Sequence, residues 1–428
     1  MDPCPTLQSL AAHTVAVRLG TDPNTLHSIS QVVPELPSNI IYTELTKCSD
    51  SINQKVADAI ALRLTLIQVD FTRIQLSKTP IVLIRLNKLQ YFVLGHPKQF
   101  EQEVSRNFLK FMLRLIKKEN RGFLLELDLS GRAATKADLN GQLSSNWSMI
   151  GKHFPSLHTL RLSYRLFSDS DLENIANSFS NLTTFDISNT LITSLDGISA
   201  LQTLIMKGMI FENSEDIKDI AKLPNLKNLN VSFSISQNEN KGFVELMAKE
   251  RIALKALKFL DFSGTNTTAK EIYHLLDNFP KLTKMATVGT LAQEHKFNTP
   301  HVTFLSIASP HQAVNSLEYY TSEKIDSCVF TCIEYLCSLL KYPIPDLLFN
   351  ADKCLKIICD ATKTYQIYGK WRSLASKALV ALVENYPDVF YPRHLYHACI
   401  KIEEMKSTYE KLEVTKEKIY NMWKQGNN

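Results

Sequence analysis

The chain has 428 residues, 44% hydrophobic and 21% charged, the balance of a folded protein with room for about three domains of roughly 150 residues, or fewer elongated ones. Only 13 glycines are present, too few for a Gly-rich nucleotide-binding enzyme or a β-propeller. A net charge of +5, from 48 basic and 43 acidic residues, is too balanced to point to nucleic acid, and with no apolar run of about 18 residues no transmembrane helix is expected; neither nucleic acid nor a membrane is expected as a partner.

The first predicted element is a helix over Pro5–Val15, PTLQSLAAHTV. Leu7, Ala11 and Val15 fall at i, i+4 and i+8 on one face, with Leu10, Thr14 and Val17 beside them. A helix of about three turns is marginal alone in water, so it must dock on its own chain or on a partner.

The middle of the chain is a repeat. LLELDLSG from Leu124, LHTLRLSY from Leu157, LTTFDISNT from Leu182, LQTLIMKGM from Leu201, LKNLNVSF from Leu226, LKFLDFSG from Leu257 and LTKMATVG from Leu282 align, with LQYFVLGH from Leu89 as a weaker copy. Apolar side chains at relative positions 1, 4 and 6 form the Leu-x-x-Leu-x-Leu core of a leucine-rich repeat, with positions 4 and 6 on one side of a strand. Start-to-start spacing runs from 19 residues (Leu182 to Leu201) to 35 (Leu89 to Leu124). Helices are predicted between strands over 171–179, 214–223, 242–254 and 269–279, with Ser214 and Thr268 as N-caps. Only a turn, LITSLDGIS, fits the shortest spacing. Thr190, Ser234, Thr265 and Thr290 stand where such repeats place Asn, and a hydroxyl there can still bond the neighbouring turn. The residues expected to point outward on a concave binding face are His158, Arg161, Thr183, Asp186, Lys227, Asn230, Lys258 and Asp261. Of these, His158, Arg161, Asp186, Asn230 and Asp261 are the candidate substrate-binding residues.

After about Pro300 the strand signature is expected to stop. HQAVNSLEYY, SEKIDSCVFTCIEYLCSLLKY, DLLFNADKCLKIICDATKTY and KWRSLASKALVALVENY carry apolar residues at spacings of three and four, punctuated by Pro343, Pro345, Pro387 and Pro392. They predict an α-solenoid of armadillo or HEAT type. KIEEMKSTYEKLEVTKEKIYNMWK follows as one charged amphipathic helix.

Eight cysteines stand at 4, 48, 328, 332, 337, 354, 359 and 399. With no secretory leader in view they are expected to be reduced thiols in the cytosol or nucleus, so the sequons at Asn146, Asn181, Asn230 and Asn266 are not expected to carry glycan. The cysteines from 328 to 359 sit within apolar helical patterns at wider spacing than zinc knuckles use, and read as small buried hydrophobes. No phosphate-binding loop, His-Glu-x-x-His or Gly-x-Ser-x-Gly occurs. Neither an enzyme, a metal nor a cofactor is expected.

The segment Thr6–Val15 resembles the Elongin-binding box of ubiquitin-ligase receptors: Ser or Thr, Leu, three free residues, Cys, three free residues, an aliphatic. Ala11 holds the Cys position. Leu36-Pro37-Ser38-Asn39-Ile40-Ile41 resembles the cullin box of receptors that use Cullin-2, with Glu44 at the last apolar position and Leu45 one place late. The order of Elongin box, cullin box, leucine-rich repeats and helical repeats resembles the Zyg-eleven (zygote-defective) family and its Zer-type relatives. LTTFDISNTLIT from Leu182, the stretch from Leu257 to Leu282, and ASPHQAVNSLEYYTSEKIDSCVFTCIEYL from Ala308 look like that family's repeats.

The resemblance implies an α/β repeat protein: a helical Elongin C and cullin box over 1–60, a leucine-rich-repeat domain over 61–300 and a short armadillo-like helical domain over 301–428. It implies a non-catalytic substrate receptor of a Cullin-2 RING ubiquitin ligase, with Elongin C, Elongin B, Cullin-2, a RING-box protein and protein substrates as partners. Thr6, Leu7, Leu10, Ala11 and Val15 would bind Elongin, and Leu36, Pro37, Ile40 and Ile41 the cullin. The resemblance also associates the family with binding of N-terminal glycine through aromatic and acidic residues of later armadillo repeats, and no glycine pocket is carried over to this chain. The alternative is a scaffold of the same repeats with no ligase link, in which the first helix caps the solenoid.

Overall fold

The computed structural model describes residues 7–21, 33–48, 52–70, 72, 89–94, 108–116, 118–131, 146–165, 168–190, 198–210, 215–233, 243–365, 367–405 and 411–425. The chain forms two compact units, Met1–Met209 with Lys218–Lys227, and Ile210–Ile217 with Asn228–Asn428.

In the first unit, helices α1 (Leu7–Thr21), α2 (Glu35–Cys48) and α3 (Gln54–Arg63) precede strands β1 (Gln68–Asp70) and β2 (Tyr91–Val93). Helix α4 (Phe108–Leu115), β3 (Glu126–Asp128), α5 (Trp147–His153), β4 (Thr159–Arg161), α6 (Asp169–Ser178), β5 (Thr184–Asp186) and β6 (Thr203–Ile205) follow. The six strands are parallel and hydrogen-bonded in chain order. Their middle residues Val69, Phe92, Leu127, Leu160, Phe185 and Leu204 lie side by side in register and are all buried. Positions 1 and 6 of the repeats, such as Leu157 with Leu162 and Leu182 with Ile187, are buried too. Each fully buried leucine contributes roughly 1.5–3 kcal/mol, so the triplet is what welds one repeat to the next. The register explains why three-residue strands suffice: each backbone is held from both sides. Strand β1 was not among the expected copies, although Leu66 and Val69 hold positions 1 and 4 of a further repeat.

On the helical side, α6 begins with a capping box. The Ser168 N–H donates to Asp171 Oδ2 at 2.7 Å and the Ser168 side chain accepts from the Asp171 N–H. Helix α5 packs on α6 through Gly151, where a Cβ would lie 2.3 Å from the Ser178 carbonyl oxygen. Only glycine allows that approach.

Helix α7 (Glu215–Ala221) comes next in the chain, then β7 (Asn228–Asn230), α8 (Phe243–Lys249), β8 (Phe259–Asp261), α9 (Ala269–Asn278), β9 (Lys284–Ala286) and β10 (Thr303–Leu305). Strands β7 to β10 are parallel and in chain order within the second unit. Thr268 caps α9 as expected, in a capping box with Glu271. Helix α8 stops at Lys249, short of the expected 254, because Arg251 takes a left-handed backbone (φ 49°) and the Ile252 N–H turns back to the Met247 carbonyl. Strand β10 corrects the expectation that strands stop at Pro300. Phe304 and Leu305 are both buried, so the segment lacks the alternation that marks a half-exposed strand.

Six helices complete this unit: α10 (Pro310–Glu323), α11 (Asp326–Leu339), α12 (Ala351–Tyr365), α13 (Gly369–Asn385), α14 (Pro392–Met405) and α15 (Lys411–Gln425). The last two pack against each other, where one continuous charged helix was expected. Helix α10 lies on β10, and α11 to α15 pack pairwise behind it. Their core joins Ala286, Leu305 and Ile307 from the strands to Leu317, Tyr320, Cys332, Leu355 and Trp371 from the helices. Among the described residues no helix is long and apolar enough to cross a membrane.

Candidate functional site

Helix α1 packs against α2, and its buried residues are Ala12, Ala16 and Leu19. Ala11 is exposed and Val15 half-buried. Leu7 and Leu10 belong to α1, but their side chains, and Thr6 as a whole, lie outside the described residues. On α2, Leu36 is 66% exposed, Pro37 and Ile40 are half-buried, and Ile41 is buried with Tyr42 and Leu45. The same helix is stitched to the segment leading into β1. Ser38 Oγ accepts from the Thr65 N–H at 2.9 Å, and Asn39 Oδ1 accepts from the Ile67 N–H at 2.9 Å. The Tyr42 hydroxyl accepts from the Asp70 N–H at 3.1 Å and donates to the Asp70 carbonyl at 3.4 Å. These bonds satisfy backbone groups that a sheet edge otherwise leaves open.

The second candidate surface is the sheet face of the first unit. The residues flanking each buried middle position form two rows, one of Glu126, Thr159 and Thr184, the other of Asp128, Arg161 and Asp186. All six are half-buried. Arg161 Nε donates to Glu126 Oε1 at 2.9 Å. Burial works against the Arg161 charge, but the bond to Glu126 and the nearby Asp186 and Asp128 outweigh it, so its pKa is raised. Burial pushes the Asp128 carboxyl up, against the Ser130 hydrogen bonds and Arg161. His158 is exposed at the edge of these rows, with Nδ1 2.6 Å from the Ser156 carbonyl oxygen. Behind them Arg165 is buried, its Nε donating to the Leu129 carbonyl at 2.6 Å, and burial lowers its pKa to about 10. Three carboxylates therefore surround the half-buried Arg161 cation on this face.

In the second unit the matching positions are covered. Asn230 and Asp261, expected on an open face, are 7% and 0% exposed. This corrects the expectation of accessibility: Tyr319 and Tyr320 of helix α10 bond Asp261 and its turn serine Ser263, and Asn230 is bonded to Asp261 in turn. Asp261 Oδ2 accepts from Asn230 Nδ2 at 3.1 Å and from the Tyr319 hydroxyl at 2.8 Å. Its Oδ1 accepts from the Ser263 N–H and hydroxyl, and Ser263 is also bonded to the Tyr320 hydroxyl. Lys284 Nζ stands 5.3 Å and 5.1 Å from the ring centres of Phe259 and Tyr319, a cation–π pairing. Burial drives the Tyr319 and Tyr320 phenols far above their usual range, with Asp261 adding to it. Of the other outward residues, Thr183 is half-buried and Lys227 and Lys258 are exposed.

The described cysteines, 328 to 399, are free thiols. Burial pushes Cys337 up to about 12 and raises Cys332, Cys354 and Cys359 as well. Such thiols are poor nucleophiles. Among the described residues no group of three His, Cys, Asp or Glu side chains could hold a metal ion.

No protein-family model matches this chain. It is 24% identical over 382 residues to Gastrulation-defective protein 3 of Caenorhabditis elegans, a match that covers 85% of this chain and 52% of that protein. The chain thus spans about half the length of this curated relative. Among solved structures it is similar to the mouse RP105/MD-1 complex, at 16% identity over 56% of this chain and 36% of that chain, with a TM-score of 0.30. An internalin, InlF, from Listeria monocytogenes gives 14% identity, 61% and 72% coverage and a TM-score of 0.31. A TLR13–ssRNA13 complex gives 13% identity, 53% and 35% coverage and a TM-score of 0.29.

One device went unread in the sequence although it was legible there. Asp70, Asp128, Asp186, Asn230 and Asp261 are each followed two residues later by Ser or Thr. In every case the side-chain Oδ1 accepts from that residue's N–H, at 2.8–3.0 Å. These are Asx-turns that end the strands. The hydroxyls in place of the repeat asparagine are also structural: Thr190, Thr265 and Thr290 each donate to the carbonyl three residues earlier, at 2.7–2.8 Å. Ser214 and Ser234 lie outside the described residues.

Proposed function

We propose that the chain is the substrate-recognition subunit of a Cullin-2 RING ubiquitin ligase, a non-catalytic receptor acting in the cytosol or nucleus. Helix α1 enters a groove on Elongin C, with Elongin B beside it. The exposed start of α2 meets Cullin-2, which carries the RING-box protein, and the repeats hold the protein substrate. On this reading the helices α10 to α15 are armadillo-type repeats of the Zyg-eleven kind. The observation that supports it is the placement of α1: the helix is anchored through Ala12, Ala16 and Leu19, while Ala11 stays exposed on another side. An exposed side on an anchored helix is what a helix-in-groove docking mode needs. The test is co-elution of the purified chain with Elongin B and Elongin C. Leu7→Ser abolishes it, and Leu36→Asp removes Cullin-2 while keeping the Elongins.

A second reading is favoured by the bonds of Ser38, Asn39 and Tyr42 to residues 65–70. These are the features of an N-terminal cap on an interaction scaffold. If wild type and Leu7→Ser both ignore the Elongins while remaining folded, the cap reading stands and the receptor reading falls.

A further inference from the structure

The second unit shows what its strands accept on this side. Asp261 uses Oδ1 for its own turn and Oδ2 for a donor delivered by an α-helix, the Tyr319 hydroxyl of α10. The first unit repeats the arrangement at Asp128 and Asp186. Their Oδ1 atoms close the turns with Ser130 and Ser188. Among the described residues no hydrogen-bond donor meets either Oδ2, and both side chains are half-exposed. Arg161, which lies between them in register, is engaged with Glu126. Arg165 is buried behind Asp128 and answers part of its charge, so Glu126, Asp128 and Asp186 exceed Arg161 and Arg165 by one negative charge, and that excess is greatest at Asp186. The hydroxyls of Thr159 and Thr184 lie beside the two aspartates in the neighbouring row.

We propose that the face of β3, β4 and β5 docks an α-helix of a partner protein whose contact side carries tyrosine together with lysine or arginine. The tyrosine hydroxyl takes a carboxylate oxygen of Asp128 or Asp186, as Tyr319 takes Asp261, and the cations answer the net negative charge. This deepens the receptor reading by naming the chemistry of what the repeats hold. Its test uses no Elongin or cullin, so each can fail alone.

The probe is an alanine-based helical peptide of about 15 residues with tyrosine and lysines on one side, fluorescein-labelled. A control peptide carries phenylalanine and glutamate at those places. Anisotropy titration of the full chain is expected to favour the tyrosine–lysine peptide by roughly tenfold or more. That preference weakens as salt rises from about 50 mM to about 300 mM. Asp128→Asn with Asp186→Asn abolishes it, while the turns survive because Asn230 makes the same bond naturally. Thr184→Lys, which adds a like charge without touching a turn, abolishes it also and covers the case in which the double variant melts early. Equal binding of the two peptides, no binding of either, or unchanged binding by a folded Asp128→Asn/Asp186→Asn chain overturns the proposal.

Discussion

Asp186 and Asp261 hold the same place in two copies of one repeat. Both sit at position 5 of the repeat, the last residue of its strand, and both bond the serine two residues on. One is half-exposed at an acidic sheet face, and the other is sealed beneath Tyr319 and Tyr320. The repeat therefore dictates the direction of a side chain but not its accessibility. Where the chain supplies its own helix, the carboxylate becomes a structural acceptor, and an unmet bond there strands several donors at once. Where the described residues supply none, the same carboxylate is a surface charge available to something else.

The comparison is broken most severely by uncovering Asp261. Tyr320 is fully buried, so Tyr320→Ala is expected to cost about 3–5 kcal/mol in urea unfolding, the range for deleting a large buried aromatic. Thr184→Ala on the half-exposed face is expected to stay within about 0.5 kcal/mol. If the two cost the same, the sheet faces are not differently covered.

Asp261→Ala is the next largest. It leaves the Tyr319, Asn230 and Ser263 donors without their acceptor, at roughly 1–3 kcal/mol for each buried group left unpaired. Asp186→Ala loses the Ser188 bonds and one of the carboxylates near the half-buried Arg161, and is expected to cost about 1 kcal/mol or less. Equal losses measured under the same denaturant series contradict the distinction.

The smallest effect is a pH dependence at Asp128. Burial raises its folded-state pKa, so the folded chain holds a proton that the unfolded chain has released. Stability therefore falls as pH rises from about 4, the ordinary aspartate value, through the raised one. Asp128→Asn removes that decline. A wild-type stability curve flat across this window contradicts the burial of the carboxyl at this face.

Much of this architecture could be read from the residues. The Leu-x-x-Leu-x-Leu pattern located the strands β2 to β9, because each leucine meets only its neighbours in adjacent repeats and the information is local. The N-cap at Thr268 was equally local. Two strands escaped. At β10, Phe304 and Leu305 are covered on both sides, and a continuous apolar run does not distinguish a strand from a buried helix. At β1 the copy reads Leu66-x-x-Val69-x-Phe71, with Val and Phe in place of two of the three leucines, so the leucine pattern is weak there. Helix α1 was expected from its apolar spacing, but the residues it turns inward, Ala12, Ala16 and Leu19, are not the row of Leu7, Ala11 and Val15. With apolar residues on more than one side, the helix alone does not choose.

By itself the sequence determined the parallel register of the repeats, the turn chemistry of their Asp-x-Ser endings and the helical run that follows. Spacings of two, three and four residues encode these directly. Only the tertiary structure decided which side of α1 is anchored and which carboxylates are hidden. The Tyr319 and Tyr320 bonds span 58 and 57 residues of chain, and no local pattern records a lid that arrives from so far away.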